Sequence, residues 1–505
     1  MENQYFLPFP TLFAFLLFLF MVLTLWRKTK SKPNLPPGPW KLPLIGSMHH
    51  LAGPSLLHHR VTELARKYGP IMHLQLGQVT NIFISSPEIA REVMKTHDLI
   101  FATRPSLVAV QLVTYNFTDI AFAPYGDYWR QIKKICTMEL LTAKRVQLFA
   151  PIRQEEVSKV ITDITSNVGS TINFTNVLTS LTYKILSRST IGKILKGEEG
   201  FIRAVMDLTE EGAGFNLADF YPSIKLFRMF GSLKHKLKRI HQQVDKMMQN
   251  VIDDRRATKR ESGVDDEERD IVDVLLRIQE QGDLQLPLTD DNIKAVIFDM
   301  FSAGSDSSAA TTIWTMSELL KNPSVMEKAQ AEVRQVFKKK GQVDEEGMEE
   351  LHYLKAAVKE TLRLHAPGPL VVPRECTENC VIAGYDIPAK SRINVNSWAL
   401  GRDPEYWTEP ERYSPERFLD GSIDHKGNNF TYLPFGSGRR LCPGILFGLT
   451  NIEFILANLL YYFDWKLPNG LQPEDLDMTE VFGSAARRKN DLLVIPFQYL
   501  PPAVN

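Results

Sequence analysis

The chain has 505 residues, of which 44% are hydrophobic and 23% are charged, so it can bury a large core and is neither disordered nor fibrous. Its 59 basic and 59 acidic side chains balance, which argues against a nucleic-acid-binding protein. The four cysteines, Cys136, Cys376, Cys380 and Cys442, contain no Cys-x-x-Cys pair and indicate a reducing compartment without a disulfide framework.

The N-terminus has the features of a membrane anchor. Residues 5–26 carry no charge, and as a helix they would extend about 33 Å, enough to cross the hydrocarbon core of a bilayer. Four basic residues follow within positions 27–32, so the positive-inside rule leaves the rest of the chain in the cytosol. A cleaved signal peptide would need a basic start, a shorter core and a small-residue cleavage site. We therefore predict residues 1–32 as an uncleaved anchor and residues 33–505 as one further domain, in which we find no linker or repeat.

The segments after the anchor alternate between helix, hairpin and loop patterns. A proline-rich stretch at residues 33–40 cannot continue the anchor helix. A short helix is predicted over residues 55–68 and a β-hairpin over residues 71–85. Residues 101–122 have no clean period and are predicted to form a loop, and a helix is predicted to open at Tyr128.

Amphipathic helices are predicted between residues 140 and 285, and the mixed charges of residues 255–270 are predicted to form a solvated loop. A much longer helix then begins at Thr289, a good N-cap residue, and nothing interrupts its periodicity before Asn322. Inside it, residues 303–308 read Ala-Gly-Ser-Asp-Ser-Ser, a stretch of poor helix propensity whose side chains can bond to the backbone and open the helix. We expect such a cost where function needs a gap.

The most informative stretch is residues 435–444, Phe-Gly-Ser-Gly-Arg-Arg-Leu-Cys-Pro-Gly, hereafter the cysteine loop. A long apolar run with helical spacing follows it, and Pro443 suits the first turn of that helix. Cys442 is therefore predicted at a helix N-terminus, where the dipole lowers the pKa of a thiol. Gly436 and Gly438 allow close backbone approach, and the adjacent arginines seek anions. Together these features indicate an iron porphyrin with its propionates, whereas a lone cysteine would more often be a small buried apolar residue.

The pattern Phe435-x-x-Gly438-x-Arg440-x-Cys442-x-Gly444 resembles the haem-ligand loop of the cytochrome P450 superfamily. Essentially the whole chain shares the resemblance, which is greatest to plant microsomal enzymes of the 71 clan, and among them to those that oxidise terpene skeletons. It implies a mainly α fold with small β-sheets, preceded by a single transmembrane helix. It also implies haem b (iron protoporphyrin IX), ligated by the cysteine and contacted by the other positions of the loop.

The resemblance further implies contacts to the haem propionates. The family's Trp-x-x-x-Arg matches Trp129, but Lys133 stands where arginine is usual. Lysine keeps the positive charge and loses the bidentate fork of the guanidinium. Arg374, at the end of an extended segment, would be the second propionate arginine. Arg130 and Lys134 either form a solvated basic face or contact an acidic electron donor.

A structural triad is implied by the same resemblance. Glu360 and Arg363 share one face of a helix predicted over residues 348–365, and Arg417 lies in a downstream Pro-Glu-Arg-Phe sequence. The Glu-Arg spacing alone is common in this chain. The family closes a Glu-Arg-Arg triad with these three positions, and we expect it to lock the cysteine loop beneath the haem.

Residues 303–308 resemble the family's oxygen-binding groove, in which an acid and a neighbouring alcohol relay protons. Here the acid is Asp306 and the alcohol is Ser307, where threonine is usual. Serine keeps the hydroxyl and lacks the methyl group that restricts the rotamer. The alternative is a helix kink packed in the core.

The predicted substrate pocket is almost entirely apolar, with no lysine or arginine placed to hold a carboxylate. We therefore predict a neutral lipophilic substrate such as a diterpene or sesquiterpene, and as alternatives a phenolic, a flavonoid or an alkaloid. The predicted pocket residues are Val108, Leu112, Phe117, Phe122, Phe215, Phe298, Phe301, Leu370, Val371 and Ala485.

The resemblance implies a haem-thiolate monooxygenase of the endoplasmic-reticulum membrane with a cytosolic catalytic domain. It would use O2 and take electrons from NADPH through a partner, NADPH-cytochrome P450 reductase, since no Gly-x-Gly-x-x-Gly or flavin-binding unit is present in the sequence. One alternative is a reductase-independent haem-thiolate isomerase or dehydratase. Such enzymes tend to lose the acid–alcohol pair, which is retained here. A membrane-tethered haem carrier is a second alternative, disfavoured because a carrier needs no proton relay.

Overall fold

The computed structural model describes Phe18 and residues 33–193, 198–213, 216–224, 226–227, 232–262, 270–483 and 485–499. The predicted anchor lies outside these residues apart from Phe18. Among the described residues, one helix (Ile445–Tyr462) is long and apolar enough to cross a membrane. Because 61% of that helix is buried inside the protein, its apolar character is accounted for by the core.

Helices dominate the described part of the chain. They are α1 (Leu57–Tyr68), α2 (Pro87–Arg91), α3 (Val108–Val113), α4 (Asp127–Ile135), α5 (Ala143–Leu148), α6 (Ala150–Thr165), α7 (Phe174–Ile191), α8 (Glu198–Ala213), α9 (Leu217–Phe220), α10 (Ser232–Ser262), α11 (Ile271–Gln281), α12 (Asp290–Lys321), α13 (Pro323–Phe337), α14 (His352–Leu364), α15 (Ser397–Leu400) and α16 (Ile445–Tyr462).

The strands are short and form small sheets, as predicted for this fold class. They are β1 (Ile71–Leu76), β2 (Val79–Ile84), β3 (Ile172–Asn173), β4 (Arg374–Glu375), β5 (Cys380–Ile382), β6 (Tyr385–Ile387), β7 (Arg392–Val395), β8 (Phe463–Lys466), β9 (Glu480–Phe482), β10 (Ala486–Arg488) and β11 (Leu493–Gln498).

The largest sheet has the strand order β1-β2-β7-β4. The predicted hairpin is confirmed as β1 and β2, which pair antiparallel from Ile71 opposite Ile84 to Leu76 opposite Val79. Strand β7 adds parallel to β2, and β4 pairs antiparallel with β7. This last pairing sets Arg374 opposite Ile393 and fixes the direction of the arginine. The smaller sheets are β3-β11-β8, β9-β10 and β5-β6.

Helix α12 is the centre of the helical layer and packs against α7, α14, α16 and α10. Its predicted start is confirmed, since Thr289 and Asn292 form a reciprocal capping box. The helix is nevertheless continuous through residues 303–308, and the expected opening is absent there. The hydroxyl groups bond back to carbonyls one turn earlier, as Ser307 does to Ala303 at 2.6 Å, so the backbone bonds are kept.

Two boundaries differ from the sequence-based expectation. Residues 101–122 contain the short helix α3 rather than only loop. Of the loop predicted over residues 255–270, residues 255–262 instead continue α10, and residues 263–269 lie outside the described part of the chain. In this helix Arg255 bonds to Asp270, and Arg256 bonds to both carboxylate oxygens of Asp290, at 2.6 and 2.8 Å. These carboxylates come from the next helices and their caps, and a charge run by itself does not reveal such partners.

The helix after the cysteine loop also begins later than predicted. Gly444 is the N-cap of α16, so Pro443 lies before the helix and not in its first turn. Cys442 precedes the N-cap by two residues.

Candidate active site

A cavity of about 370 Å³ is enclosed between α12 and the cysteine loop. It is bounded at other sides by α4 and by the segment before β4. Ten of the predicted site residues line it: Trp129, Lys133, Asp306, Ser307, Leu370, Val371, Phe435, Arg440, Cys442 and Ala485.

The cysteine loop is held in its shape by contacts with its own chain. Gly436 and Gly438 have φ of +70° and +69°, in the left-handed region that favours glycine. A Cβ atom at Gly438 would lie 2.2 Å from the carbonyl oxygen of Met94, so the close approach at this position is to protein backbone. The backbone N–H of Cys442 donates to the carbonyl oxygen of Phe435 at 3.2 Å, which closes the loop.

The thiol of Cys442 opens into the cavity. Burial raises its pKa, while the backbone N–H of Gly444 and the ammonium of Lys133 act in the opposite direction. Lys133 reaches this position from α4 and donates to the carbonyl oxygen of Leu441 at 2.8 Å. A thiol with an N–H donor and a cation beside it is set up to bind metal as the thiolate, because coordination itself removes the proton.

Arg440, within the cysteine loop, and Arg374, on β4, have guanidinium groups close enough to repel each other. Arg440 donates from Nε to the carbonyl oxygen of Ala102 at 2.7 Å, and its guanidinium covers the ring of Trp129 at 4.2 Å. Arg374 pairs with Asp98 at 3.0 Å. Burial lowers the pKa of both arginines, and their mutual repulsion lowers that of Arg440 further, to about 9.

Arg104 is a third guanidinium in this group, and the sequence reasoning assigned it no role. It lines the cavity and donates to the carbonyl oxygens of Val372 and Pro373, at 2.5 and 2.9 Å. The only sequence signal was an arginine in an otherwise apolar stretch. Its proximity to Arg374 and Arg440 depends on the fold.

On the opposite wall, α12 presents small and polar side chains. Ser307 and Asp306 line the cavity, with Thr311 one turn further on. Asp299 lines it two turns before Asp306 and accepts from the backbone N–H of Ile120 at 2.6 Å. Asp299 and Thr311 were not predicted as site residues, although both lie on the same helical face as Asp306 or Ser307.

The three predicted triad residues meet outside the cavity. Arg363 donates to both carboxylate oxygens of Glu360, at 2.7 and 2.8 Å, and both side chains are fully buried. Arg417 approaches the same carboxylate at 3.3 Å. Arg363 also donates to the carbonyl oxygens of Gly401 and Pro410, at 2.5 and 2.7 Å. The triad therefore ties α14 to the segment that leads to the cysteine loop.

The remaining predicted residues are placed elsewhere. Phe301 lines a much smaller cavity beside the first, together with Asp306 and Tyr183, and Phe298 is buried in the helical core. Gly438, within the cysteine loop, lies against the carbonyl oxygen of Met94 and does not line the cavity, and Arg374 supports the loop through a hydrogen bond to the carbonyl oxygen of Ser437 at 2.6 Å. Four residues of the 101–122 segment are outside the cavity lining, and Phe215 lies outside the described residues. Those four are Val108, Leu112, Phe117 and Phe122.

The donor set of this site fits an iron porphyrin. A single thiol faces the cavity, and three buried guanidinium groups stand at one edge with few carboxylates near them. Arg374 retains an Nε atom without a hydrogen-bond partner among the described residues. Asp98 pairs with Arg374, and Asp119 lies near Arg104 and Arg440, so positive charge at this edge is only partly offset. The remaining positive charge suits an anionic group such as a carboxylate pair.

The sequence profile of the cytochrome P450 family matches residues 36–494, so the chain belongs to the cytochrome P450 family. It is 49% identical to premnaspirodiene oxygenase of Hyoscyamus muticus over 98% of this chain and 99% of that protein. It is 48% identical to 5-epiaristolochene 1,3-dihydroxylase of Nicotiana tabacum, with the same coverage of both chains. It is 49% identical to desmethyl-deoxy-podophyllotoxin synthase of Sinopodophyllum hexandrum, over 97% of each.

The fold also matches solved structures. A zebra fish cytochrome P450 structure with progesterone aligns with a TM-score of 0.76 and covers 88% of this chain and all of that one. At 22% identity this likeness concerns the fold alone. The protein is thus a plant cytochrome P450 monooxygenase with haem as its cofactor, which uses O2, a lipophilic substrate and a redox partner.

Proposed function

We propose that this monooxygenase hydroxylates a terpenoid, a sesquiterpene or diterpene, through a haem ligated by Cys442. The observation that carries the assignment is the single thiol facing the cavity beneath a cluster of buried arginines. When bound, the haem would supply oxygen activation, and the thiolate of Cys442 would hold the iron and donate electron density to it.

The residues that support the haem site form two groups with different roles. Arg374, Arg440 and Lys133 would supply donors for the propionates. Trp129 would join them once its Nε1 leaves the carbonyl oxygen of Ile120, to which it donates at 3.0 Å. Lys133 contributes charge without a bidentate fork, so we expect it to hold its partner less rigidly than an arginine would. Glu360, Arg363 and Arg417 act from outside the cavity by fixing the path of the cysteine loop.

Proton delivery is assigned to Asp306 and Ser307. The Ser307 hydroxyl donates to Ala303 at 2.6 Å in the free cavity, and a rotation about χ1 turns the same hydroxyl toward the cavity. Asp306 borders both the main cavity and the smaller one lined by Tyr183 and Thr209. It can therefore pass a proton from that side of α12 to the Ser307 side.

The substrate class is inferred from the lining of the cavity. Leu370, Val371 and Ala485 are joined there by Leu186, Met300 and other apolar side chains. An apolar lining binds neutral lipophilic molecules and discriminates only modestly between similar skeletons. Two relatives with sesquiterpene substrates in their names support the terpenoid assignment.

A phenolic substrate is the second candidate, because one relative of equal similarity is named as a podophyllotoxin-type synthase. Polar groups at the cavity wall, Asp299 and Thr311, provide partners for phenolic or ether oxygens. A panel of sesquiterpene hydrocarbons, diterpene hydrocarbons and lignan or flavonoid phenols, supplied to membranes that also contain a reductase, separates the two. Turnover of phenols alone would refute the terpenoid proposal.

We further propose attachment to the endoplasmic-reticulum membrane. In addition to the apolar residues 5–26, an exposed apolar patch follows the anchor: Trp40 is 61% exposed and Leu44 is 86% exposed. Leu44 has a φ of +65°, and its carbonyl oxygen accepts from the hydroxyl of Tyr221. The ring of Tyr221 contacts Phe227, and the preceding residue, Leu226, is 60% exposed. A bilayer surface is the occupant that suits such a patch beside an anchor. The full-length chain should resist alkaline carbonate extraction and remain open to protease from the cytosolic side.

The proposed electron donor is NADPH-cytochrome P450 reductase. The side chain of Arg130 is more than half exposed and that of Arg439 is half exposed, and both guanidinium groups lie over the ring of Tyr125. Lys134 is also exposed, on the same helix as Arg130. This basic face lies behind the cysteine loop and suits an acidic partner. Product formation should require both NADPH and added reductase, whereas an isomerase or dehydratase would need neither.

The central assignment is tested by the carbon monoxide difference spectrum of the reduced protein. The wild type should give the band of a thiolate-ligated haem, and Cys442→Ala should lose both that band and product formation. Cys380→Ala is the matched control, since its half-buried thiol lies outside the cavity. Retention of the thiolate band by Cys442→Ala would contradict the assignment.

A further inference from the structure

A buried histidine that the proposed mechanism does not use lies at the end of α14. The two ring nitrogens of His365 face two carboxylates: Nε2 is 2.7 Å from Oε1 of Glu318, and Nδ1 is 3.3 Å from Oε1 of Glu480. All three side chains are at least nine-tenths buried. Only the doubly protonated imidazolium can donate to both carboxylates at once.

This cluster joins three elements around the cavity. Glu318 lies in the last turn of α12, His365 follows α14, and Glu480 opens the β9-β10 hairpin. The turn of that hairpin carries Ala485, which lines the cavity. The histidine therefore links the helix of the proton relay to the loop that shapes the substrate space.

A second contact connects the same ring to the hairpin. The indole of Trp314 stacks on His365 at 4.0 Å with an interplanar angle of 5°. The Nε1 of Trp314 donates to the carbonyl oxygen of Ala486 at 3.2 Å, and the N–H of Ala486 donates to Pro367 at 2.9 Å. Both sides of the turn are thus anchored through the imidazole: one through Glu480 and the other through the stacked indole.

We propose that His365, as an imidazolium, is a positioning residue that holds the Ala485 loop against the cavity and thereby sets the orientation of the substrate. This deepens the proposed function, on which its substrate part rests. Burial alone lowers the pKa of His365, but the two carboxylates more than offset this effect, and the pKa is raised above its usual value. Glu480 also faces Nε2 of His58, at 3.2 Å from its other carboxylate oxygen, and the hydrogen bonds from His365 and His58 together hold the pKa of Glu480 well below its usual range despite burial.

The sign of the pH dependence follows from the raised pKa. The histidine stabilises the hairpin fully at pH values below its pKa in the unfolded chain, about 6.5, and this stabilisation is lost as the pH rises through the higher folded-state value. The other charged or titratable groups around the cluster are His58, His59, Arg402, Tyr413 and Arg488.

Amide hydrogen exchange of the full-length, haem-containing protein tests the proposal without any substrate. Between pH 6.5 and pH 9, after correction for the intrinsic exchange rate, exchange in residues 480–488 should rise roughly tenfold in the wild type. In His365→Gln it should be fast at both pH values. His352→Gln is the matched control, because His352 is an exposed histidine at the start of the same helix.

A second variant tests the same contact if His365→Gln does not fold. Glu480→Gln keeps the shape of the side chain and removes the charge, and it should abolish most of the pH dependence. Glu474→Gln, an exposed carboxylate nearby in the chain, should leave the pH dependence unchanged. Exchange that does not depend on pH in the wild type, or a His365→Gln pattern equal to that of His352→Gln, would overturn the proposal.

Readouts of activity and of the haem separate this proposal from the proposed function. With premnaspirodiene as probe, His365→Gln should change the product ratio and raise KM several-fold while its carbon monoxide spectrum stays normal. If the wild type lacks that spectrum, the proposed function fails, whereas the exchange result still decides the role of His365.

Discussion

The two walls of the cavity are stabilised by different forces. The cysteine loop is fixed by directional contacts with distant parts of the chain: the Arg440 bonds to backbone carbonyls, the Arg374 bond to the carbonyl oxygen of Ser437 and the contact of Gly438 with Met94. The Glu360–Arg363 pair contributes indirectly, by holding the segment that leads to the loop. The α12 wall is fixed mainly by apolar packing and by hydroxyls that bond within their own helix. Because apolar packing is non-directional, the second wall can change its shape with little loss of stability, whereas the first cannot.

The largest effect is expected from Glu360→Ala. This change leaves the fully buried Arg363 without its carboxylate, and breaking a buried pair in this way costs about 3–5 kcal/mol. Thermal unfolding and haem content measure the loss. Glu409→Ala is the matched control: Glu409 and Arg412 have the same spacing but are more than half exposed, so the expected cost is about 0–1 kcal/mol. Equal effects of the two variants would show that the triad does not support the loop.

Gly438→Ala should come next. Alanine at this position would have to adopt a φ of +69°, and its Cβ would clash with the carbonyl oxygen of Met94. Together these two effects should lower the free energy of unfolding by about 2–4 kcal/mol. Gly421→Ala has a φ of +72° and no atom within 4 Å of the new Cβ, so only the cost of the left-handed conformation, about 1–2 kcal/mol, is expected. Chemical denaturation of both variants gives the comparison. A Gly438→Ala variant as stable as Gly421→Ala would mean that the loop yields at this contact.

On the other wall, Ser307→Ala should affect coupling and hardly affect stability. It removes one helical hydroxyl bond, worth about 1 kcal/mol, and interrupts the proposed proton relay. NADPH consumption should continue while product per NADPH falls several-fold and peroxide rises. Ser317→Ala removes an equivalent bond on the same helix, to Ile313 at 2.8 Å, outside the cavity lining. Unchanged coupling in Ser307→Ala would exclude the relay role.

The smallest effect on total turnover is expected from Leu370→Ala, which enlarges the cavity at an apolar wall and should alter mainly the ratio of products. Removing methyl groups from a substrate contact changes discrimination by about 1–3 kcal/mol, which would appear as a shift in product ratio. Leu112→Ala provides the comparison, since both leucines were predicted pocket residues and only Leu370 lines the cavity. A product ratio that responds to Leu112 instead would place the substrate nearer to α3.

The sequence-based prediction was most accurate where the signal is local. The hairpin of β1 and β2, the Thr289 cap and the extent of α12 depend on periodicity and capping within a few residues, and all three are confirmed. The predicted start of α16 at Pro443 and the predicted loop at residues 255–262 were wrong. The continuation of α10 is accompanied by ion pairs with Asp270 and Asp290, which a local charge run does not reveal.

The same division applies to the site. The sequence alone determined the family and the candidate ligand Cys442, because the cysteine loop is a contiguous motif whose glycines and arginines are constrained together. Tertiary structure decided which apolar residues line the cavity, that Arg104 joins Arg374 and Arg440, and that His365 lies between Glu318 and Glu480. These side chains come from segments far apart in the chain. Their charge and orientation are set by burial and by neighbours brought together only on folding.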